Sequence, residues 1–392
     1  MLRKGHLMTI SSYKRHILPI LTAVCFAVSG HFANAEDKLL QEAVSFTGTI
    51  AFLSSGAPGL VIAAVRDGET AFAGFGEISR GSGKEPDEHT LMRIASISKV
   101  FCGDLMSSMM VDGKIAPTDP LVKHLGQDWK VPERGGRKLR LVDLVTQASG
   151  LPREVPNQIG GTPEDPFAGN TFDLSRSELA KSDPYMFPPG SGVFYSNWGY
   201  DLLGLALSNA GGKSYGDLLA ERVLRPRGLT DTRLNVAEAD TGRTMQGHFF
   251  DGSPMPLVPS PETIGCAGGL YTSADDMMKF MSWHLANDAA GDAERTLSHA
   301  GWLWRDGLSA VSGIDDAGQM SMMTLGWVGV LPSGDAPMML NKTGGLQGQF
   351  SYVVMAPTRG IGVFVSINQF SVGGFTGMVE AANKLIAQLA PR

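Results

Sequence analysis

The chain has 392 residues, 43% hydrophobic and 18% charged, with a formal net charge of −6. That balance describes a globular chain with a sizeable core and excludes a disordered one, while 49 glycines and 22 prolines call for many tight loops. An acidic chain without a basic stripe is a poor match for nucleic acid.

Residues 1–35 read as an export signal. Arg3, Lys4, Lys14 and Arg15 make a basic start, Ile17 to Ser29 is an apolar stretch too short to span a bilayer, and Ala33-Asn34-Ala35 is a small-residue cleavage site. Cleavage after Ala35 removes those four basic and no acidic residues, taking the charge from −6 to −10, and places the protein in the periplasm. No later run of about 18 apolar residues follows, so no integral membrane segment is expected after cleavage. Cys25 leaves with the signal, and Cys102 and Cys266 remain in an oxidising compartment. The remaining histidines, 89, 124, 248, 284 and 299, are scattered without ligand spacing, so neither a metal nor another cofactor is expected.

Glu36 to Phe46 reads as a helix. Gly59 to Arg66 and Glu69 to Glu77 read as a hairpin about Asp67-Gly68. Ser96 to Val111 reads as a helix closed by Asp112-Gly113. A long middle follows, with helical stretches at Ser175 to Lys181 and Tyr200 to Asn209 between loops rich in proline and glycine. Strand periodicity returns in Phe350 to Ala356 and Ile361 to Asn368, joined by a turn at Pro357 to Gly360. A last helix carries Phe375, Met378, Val379, Ala382, Leu385, Ile386 and Leu389 at helical spacing. This order predicts an α+β fold: one antiparallel sheet assembled from residues 36–109 and 265–392 and flanked by terminal helices, with a mostly helical domain, 110–264, inserted. A cleft between the two parts is the natural site.

Three short motifs fall at the edges of that cleft. In RIASISKV (Arg93 to Val100), a helical turn of about 100° per residue puts Lys99 on nearly the same face as Ser96, while Ser98 points away. Ser11-Ser12-Tyr13-Lys14 shows the same pattern inside the signal, so the pattern alone is weak. Tyr195-Ser196-Asn197 ends a Pro/Gly loop before a helix, and Lys342-Thr343-Gly344 opens the C-terminal strands. Two competing motifs are discounted by context. Gly212 to Gly216 matches G-x-S-x-G but follows a helix, and Ser366-Ile367-Asn368 falls within a strand.

With these motifs in this order, the chain resembles the serine β-lactamase and penicillin-binding-protein superfamily, in its class C β-lactamase branch. Within that branch it is most similar to D-alanyl-D-alanine carboxypeptidase/endopeptidases of the AmpH type, on the stretches RIASISK, SGLPRE, YSNWGYDLLGLAL and NKTGG. The resemblance implies the fold inferred above and a serine hydrolase that acts on peptidoglycan stem peptides and is acylated by β-lactams. The alternatives are a class C-type β-lactamase or esterase using the same serine, and a non-catalytic sensor that binds the same ligands.

Ser96 Oγ would attack a carbonyl and form an acyl-enzyme once a base takes its proton. Lys99 and Tyr195 are the candidates. Two ammonium groups, Lys99 and Lys342, favour a Tyr195 phenolate, and the same crowding favours a neutral Lys99, so the assignment stays open. The Ser96 N–H, at a helix N-terminus, favours a developing oxyanion; the resemblance gives the second oxyanion donor to the Gly345 N–H, Asn197 to the substrate amide and Lys99, Lys342 and Thr343 to the substrate carboxylate, and Gly344 to the substrate site beside them. It also puts Glu154 where class C enzymes usually hold a glutamine. An anion there would favour amine-bearing peptides over β-lactams, the alternative being a solvated partner of Arg153. Cys102, six residues past Ser96, and Cys266 could meet behind the site as a disulfide, with two buried free thiols as the alternative.

Overall fold

The computed structural model describes residues 38–162 and 165–390; the expected export segment, 1–35, lies outside them. Helix α1 (Lys38–Ser55) leads into strands β1 (Gly59–Arg66), β2 (Glu69–Gly76) and β3 (Met92–Arg93). Helix α2 (Ser98–Val111) follows, then α3 (Leu141–Val145), α4 (Phe172–Leu179), β4 (Val193–Phe194), α5 (Asn197–Gly211) and α6 (Tyr215–Leu219). The chain returns through α7 (Gly265–Gly268), β5 (Tyr271–Thr272), α8 (Ala274–Leu285), α9 (Asp292–His299), β6 (Leu303–Trp304) and β7 (Val311–Ser312). It closes with β8 (Met322–Met323), β9 (Val328–Val330), β10 (Met339–Leu346), β11 (Gln349–Ala356), β12 (Ile361–Ile367) and α10 (Val372–Leu389).

One eight-stranded sheet, in the order β2-β1-β12-β11-β10-β9-β8-β6, joins both ends of the chain, and each neighbouring pair in it is antiparallel. Strand β1 shows how it is layered. Val61, Ala63 and Val65 enter the core shared with the central helices, while Leu60, Ile62 and Ala64 enter the core under α1 and α10. A strand buried on both faces needs a continuous apolar run, and GLVIAAVR supplies one. Asp67 and Gly68 both have positive φ (50° and 88°), as a tight hairpin turn of the primed type requires.

Three differences from the sequence reading have physical causes. Helix α1 runs to Ser55, nine residues past Phe46, because Gly48, Ala51 and Ser55 continue its buried stripe; packing outweighs the β-branched bias of TGTI. The sheet extends through β6, β8 and β9, strands of two or three residues that are too short to show a period. Lys342-Thr343-Gly344 lies inside β10 rather than at its start.

That placement makes the site. Strand β10 pairs with β11 along its length but with β9 at Met339 to Asn341 alone. Beyond Asn341 its other edge meets the backbone at residues 94–96. A Cβ at Gly344 would overlap the carbonyl of Ile94 and stand 3.2 Å from the Ser96 nitrogen, so this approach requires glycine. Helix α2, which carries Lys99, is buried from Ser98 to Met109. Within it, Asp104 accepts from Arg227 Nη1, from Ser298 Oγ at 2.8 Å and pairs with His284 Nε2 at 3.0 Å. Burial alone would raise this carboxyl, but His284 and Arg227 hold it well below the usual carboxylate range. Among the described residues, no helix is long and apolar enough to cross a membrane.

Cys102 on α2 and Cys266 on α7 are joined by a disulfide across 164 residues, with Cα atoms 5.2 Å apart. Denatured, unreduced protein is therefore expected to titrate no thiol other than Cys25. In the chain-entropy account, replacing both cysteines by alanine lowers stability by as much as about 4–5 kcal/mol, read by denaturant unfolding. Two further thiols in the unreduced protein would contradict the bond.

Candidate active site

The segment carrying Ser96 is more strained than a simple helix start. A single 3₁₀ turn, Ala95–Ile97, precedes α2, and Ala95 sits at φ 48°. A non-glycine residue held there costs about 1–2 kcal/mol, and such strain concentrates at functional positions. Ser98 Oγ accepts from the Leu270 N–H at 3.0 Å, so this serine is a structural contact facing away from Lys99.

Lys99 is fully buried, and its Nζ has three oxygen neighbours: Ala267 O at 2.6 Å, Asn197 Oδ1 at 2.7 Å and Ser96 Oγ at 3.3 Å. The carbonyl and the amide oxygen are acceptors only, so they take two N–H groups. The third tetrahedral position faces Ser96. On an ammonium it is a donor; on a neutral amine it is a lone pair aimed at the Ser96 hydroxyl. Burial pushes Lys99 down to about 7, against the opposing pull of Asp201 and Glu154.

The Tyr195-Ser196-Asn197 motif works through its middle residue. Ser196 caps α5, its Oγ accepting from the Gly199 N–H at 2.9 Å and donating to Pro152 O at 2.7 Å. This anchors the turn from which Tyr195 and Asn197 project toward Lys99. The Tyr195 ring has Lys99 Nζ at 4.8 Å, Lys342 Nζ at 5.2 Å and the Arg153 guanidinium at 4.7 Å from its centroid. Lys342 is 3% exposed, and its Nζ donates to Thr343 O at 2.9 Å. Burial lowers it too, Tyr195 opposing the shift and Lys99 adding to it.

A cavity of about 270 Å³ opens beside Ser96. Ser96, Asn197, Glu154 and Gly345 line it; Lys99, Tyr195, Lys342, Thr343 and Gly344 are not among its walls. Glu154 is no mere partner of Arg153. Its Oε1 accepts from Asn197 Nδ2 at 2.6 Å, with Arg153 Nε at 3.7 Å. The sequence reading missed Asn170 and Asp201, which also line the cavity. Asn170 Nδ2 donates to Asp201 Oδ2 at 3.0 Å, and burial, with Glu154 adding to it, pushes Asp201 up to about 8. The signal was present: Asp201 is four residues after Asn197, one turn along the same helix face.

The competing motifs have structural roles. Ser214 caps α6, accepting from the Asp217 N–H at 3.1 Å. Asn368 ties β1 to the segment after β2, its Oδ1 accepting from the Gly59 N–H at 2.7 Å and its Nδ2 donating to Ile78 O at 3.2 Å.

If Lys99 is the base, acylation requires its neutral form. The acylation rate constant for a fluorescent penicillin should then rise as pH climbs through about 7 and level off above it. Lys99→Ala should lose orders of magnitude at every pH. A flat profile between pH 5 and 9 would contradict this.

The β-lactamase family model matches residues 32–388. The D-alanyl-D-alanine-carboxypeptidase/endopeptidase AmpH of Escherichia coli is 31% identical over 344 residues, covering 86% of each chain. A β-lactamase of Pseudomonas fluorescens is 25% identical over 339 residues, covering 79% of this chain and 88% of its own. The crystal structure of a β-lactamase/D-alanine carboxypeptidase from Yersinia pestis, complexed with citrate, superposes with a TM-score of 0.82 at 32% identity, covering 90% of this chain and 99% of that one. A class C β-lactamase from Rhodobacter sphaeroides shares the fold, with a TM-score of 0.72 at 21% identity over 89% of this chain and all of its own. The chain belongs to the β-lactamase family.

Proposed function

We propose that this chain is an exported serine D-alanyl-D-alanine carboxypeptidase/endopeptidase that cleaves peptidoglycan stem peptides and is acylated by β-lactams. The observation that carries the chemistry is Lys99: buried, with two N–H groups committed to fixed acceptors and the third position on Ser96 Oγ. The names of the Escherichia coli relative and the Yersinia pestis structure support the substrate class. The disulfide supports export, since such bonds persist in oxidising compartments.

In this reading Ser96 Oγ attacks the carbonyl before the terminal D-alanine while its proton passes to Lys99 Nζ. The oxyanion is met by the N–H groups of Ser96 and Gly345. Lys342, with Thr343 beside it on a strand that Gly344 lets approach, binds the terminal carboxylate as a buried cation. Asn197 positions Lys99 through Oδ1. Tyr195, ringed by three cations, relays the proton to the departing amine. Water then attacks the acyl-enzyme, with the same groups returning the proton to Ser96.

Ser96→Ala should lose all covalent labelling by fluorescent penicillin and all release of D-alanine from a peptide ending in D-Ala-D-Ala, while Ser214→Ala keeps both. Loss in Ser214→Ala with retention in Ser96→Ala would reverse the assignment. Wild-type protein that turns over a chromogenic cephalosporin but releases no D-alanine would make it a β-lactamase instead.

A further inference from the structure

The cavity beside Ser96 has an electrostatic asymmetry that the reaction itself does not require. The amines of Lys99 and Lys342 lie outside its walls, around Tyr195, and Arg153 at its rim has its guanidinium over the same ring. The wall contributed by α5 and the segment from Glu154 to Asn170 carries carboxylates and amide oxygens. Glu154 stands at the mouth with 52% of its side chain exposed, and Asp201, 3% exposed, lies at the floor.

The floor is unusual in what it leaves unpaired. Asp201 Oδ1 and Asn170 Oδ1 are buried and, among the described residues, neither has a hydrogen-bond partner. Asn170 is 8% exposed, so both side chains are more than nine-tenths buried. The bond between them uses one N–H of Asn170 Nδ2 and Asp201 Oδ2, and leaves the two Oδ1 atoms without a partner. A buried acceptor left unmade is costly, and two on hydrogen-bonded neighbours that line one cavity match a group rich in donors. A primary ammonium is such a group: three N–H donors, no acceptor, and a positive charge that Glu154 attracts and that draws the buried Asp201 carboxyl toward its charged form.

We infer that the wall formed by Glu154, Asn170 and Asp201 is a binding site for a primary ammonium group that the substrate carries on the acyl side of the scissile bond. This rests on the proposed peptidase function, with the terminal carboxylate at Lys342 directing the other arm of the peptide into the cavity. Arg153 at the rim repels the same cation, so the site accepts it below the rim rather than at the surface. A neutral acylamino arm, with one N–H and one carbonyl, cannot satisfy two buried acceptors and brings no charge.

The test compares two peptides, Nα-acetyl-lysyl-D-Ala-D-Ala with its side-chain amine free, and the same peptide with that amine acetylated. Wild-type kcat/KM should favour the free amine by about tenfold, the effect of one charge-assisted contact. Asp201→Asn, with its melting temperature measured alongside, should bring the ratio of the two kcat/KM values close to one, and Glu154→Gln should lower it in the same direction. Equal kcat/KM values in the wild type, or a wild-type ratio kept in folded Asp201→Asn, would overturn the inference. Should Asp201→Asn not fold, an unchanged ratio in Glu154→Gln would overturn it. Peptide protection against fluorescent-penicillin acylation separates this from the proposed function. If neither peptide is cleaved but the free amine protects at about tenfold lower concentration, the peptidase reading fails and the ammonium site stands. Equal protection, or none, overturns the site.

Discussion

The structure depends on keeping an amine out of water. Moving Lys99 from an ordinary lysine value to about 7 corresponds to roughly 5 kcal/mol of lost preference for the charged form. An exposed lysine would remain charged at neutral pH and could not take a proton from serine. A buried one without acceptors would leave its N–H groups unsatisfied. Ala267 O and Asn197 Oδ1 resolve this by fixing two N–H groups without supplying a full negative charge. The acids nearby, Asp201 and Glu154, pull in the opposite direction without prevailing. The amine is thereby oriented on Ser96 and left close to its neutral form.

Much of the remaining fold holds those two acceptors and the serine in register. The Cys102–Cys266 bond joins the helix that carries Lys99 to the turn that presents Ala267. The buried Asp104, held by Arg227, His284 and Ser298, ties the same helix to the elements behind it. Ser196 fixes the start of α5 and with it Asn197. The unpaired edge of β10 lies against the 94–96 backbone, so Ser96 and Gly345 both face the cavity. Apart from the local Ser196 cap, each of these is a contact between segments far apart in sequence, so the geometry is a property of the complete sheet and its helices.

The parts of this arrangement legible from sequence were those with short periods. The apolar run GLVIAAVR, the Asp-Gly turn and the stripe of the last helix each announce themselves within a few residues. The spacing of Ser96 and Lys99 did the same, because one helical turn is a local rule. Other features were hidden. The two- and three-residue strands β6, β8 and β9 are set by pairing rather than pattern. The left-handed backbone at Ala95 has no residue signature, since alanine there is disfavoured and held by its surroundings. Asp201 follows Asn197 by one helical turn, but that spacing gains meaning only from burial beside Asn170 and from the cavity the residue helps line.

The choice of base between Lys99 and Tyr195, which residue types alone left open, turns on solvation, and solvation can be measured without reference to any substrate. The most direct measurement is an NMR titration of isotope-labelled lysine side chains, with the Lys99 resonance identified by its absence in Lys99→Arg. The expected result is a Lys99 Nζ signal that loses its proton near pH 7. A Lys99 signal that titrates near the free-lysine value of about 10.4 would contradict it, and would return the proton-accepting role to Tyr195.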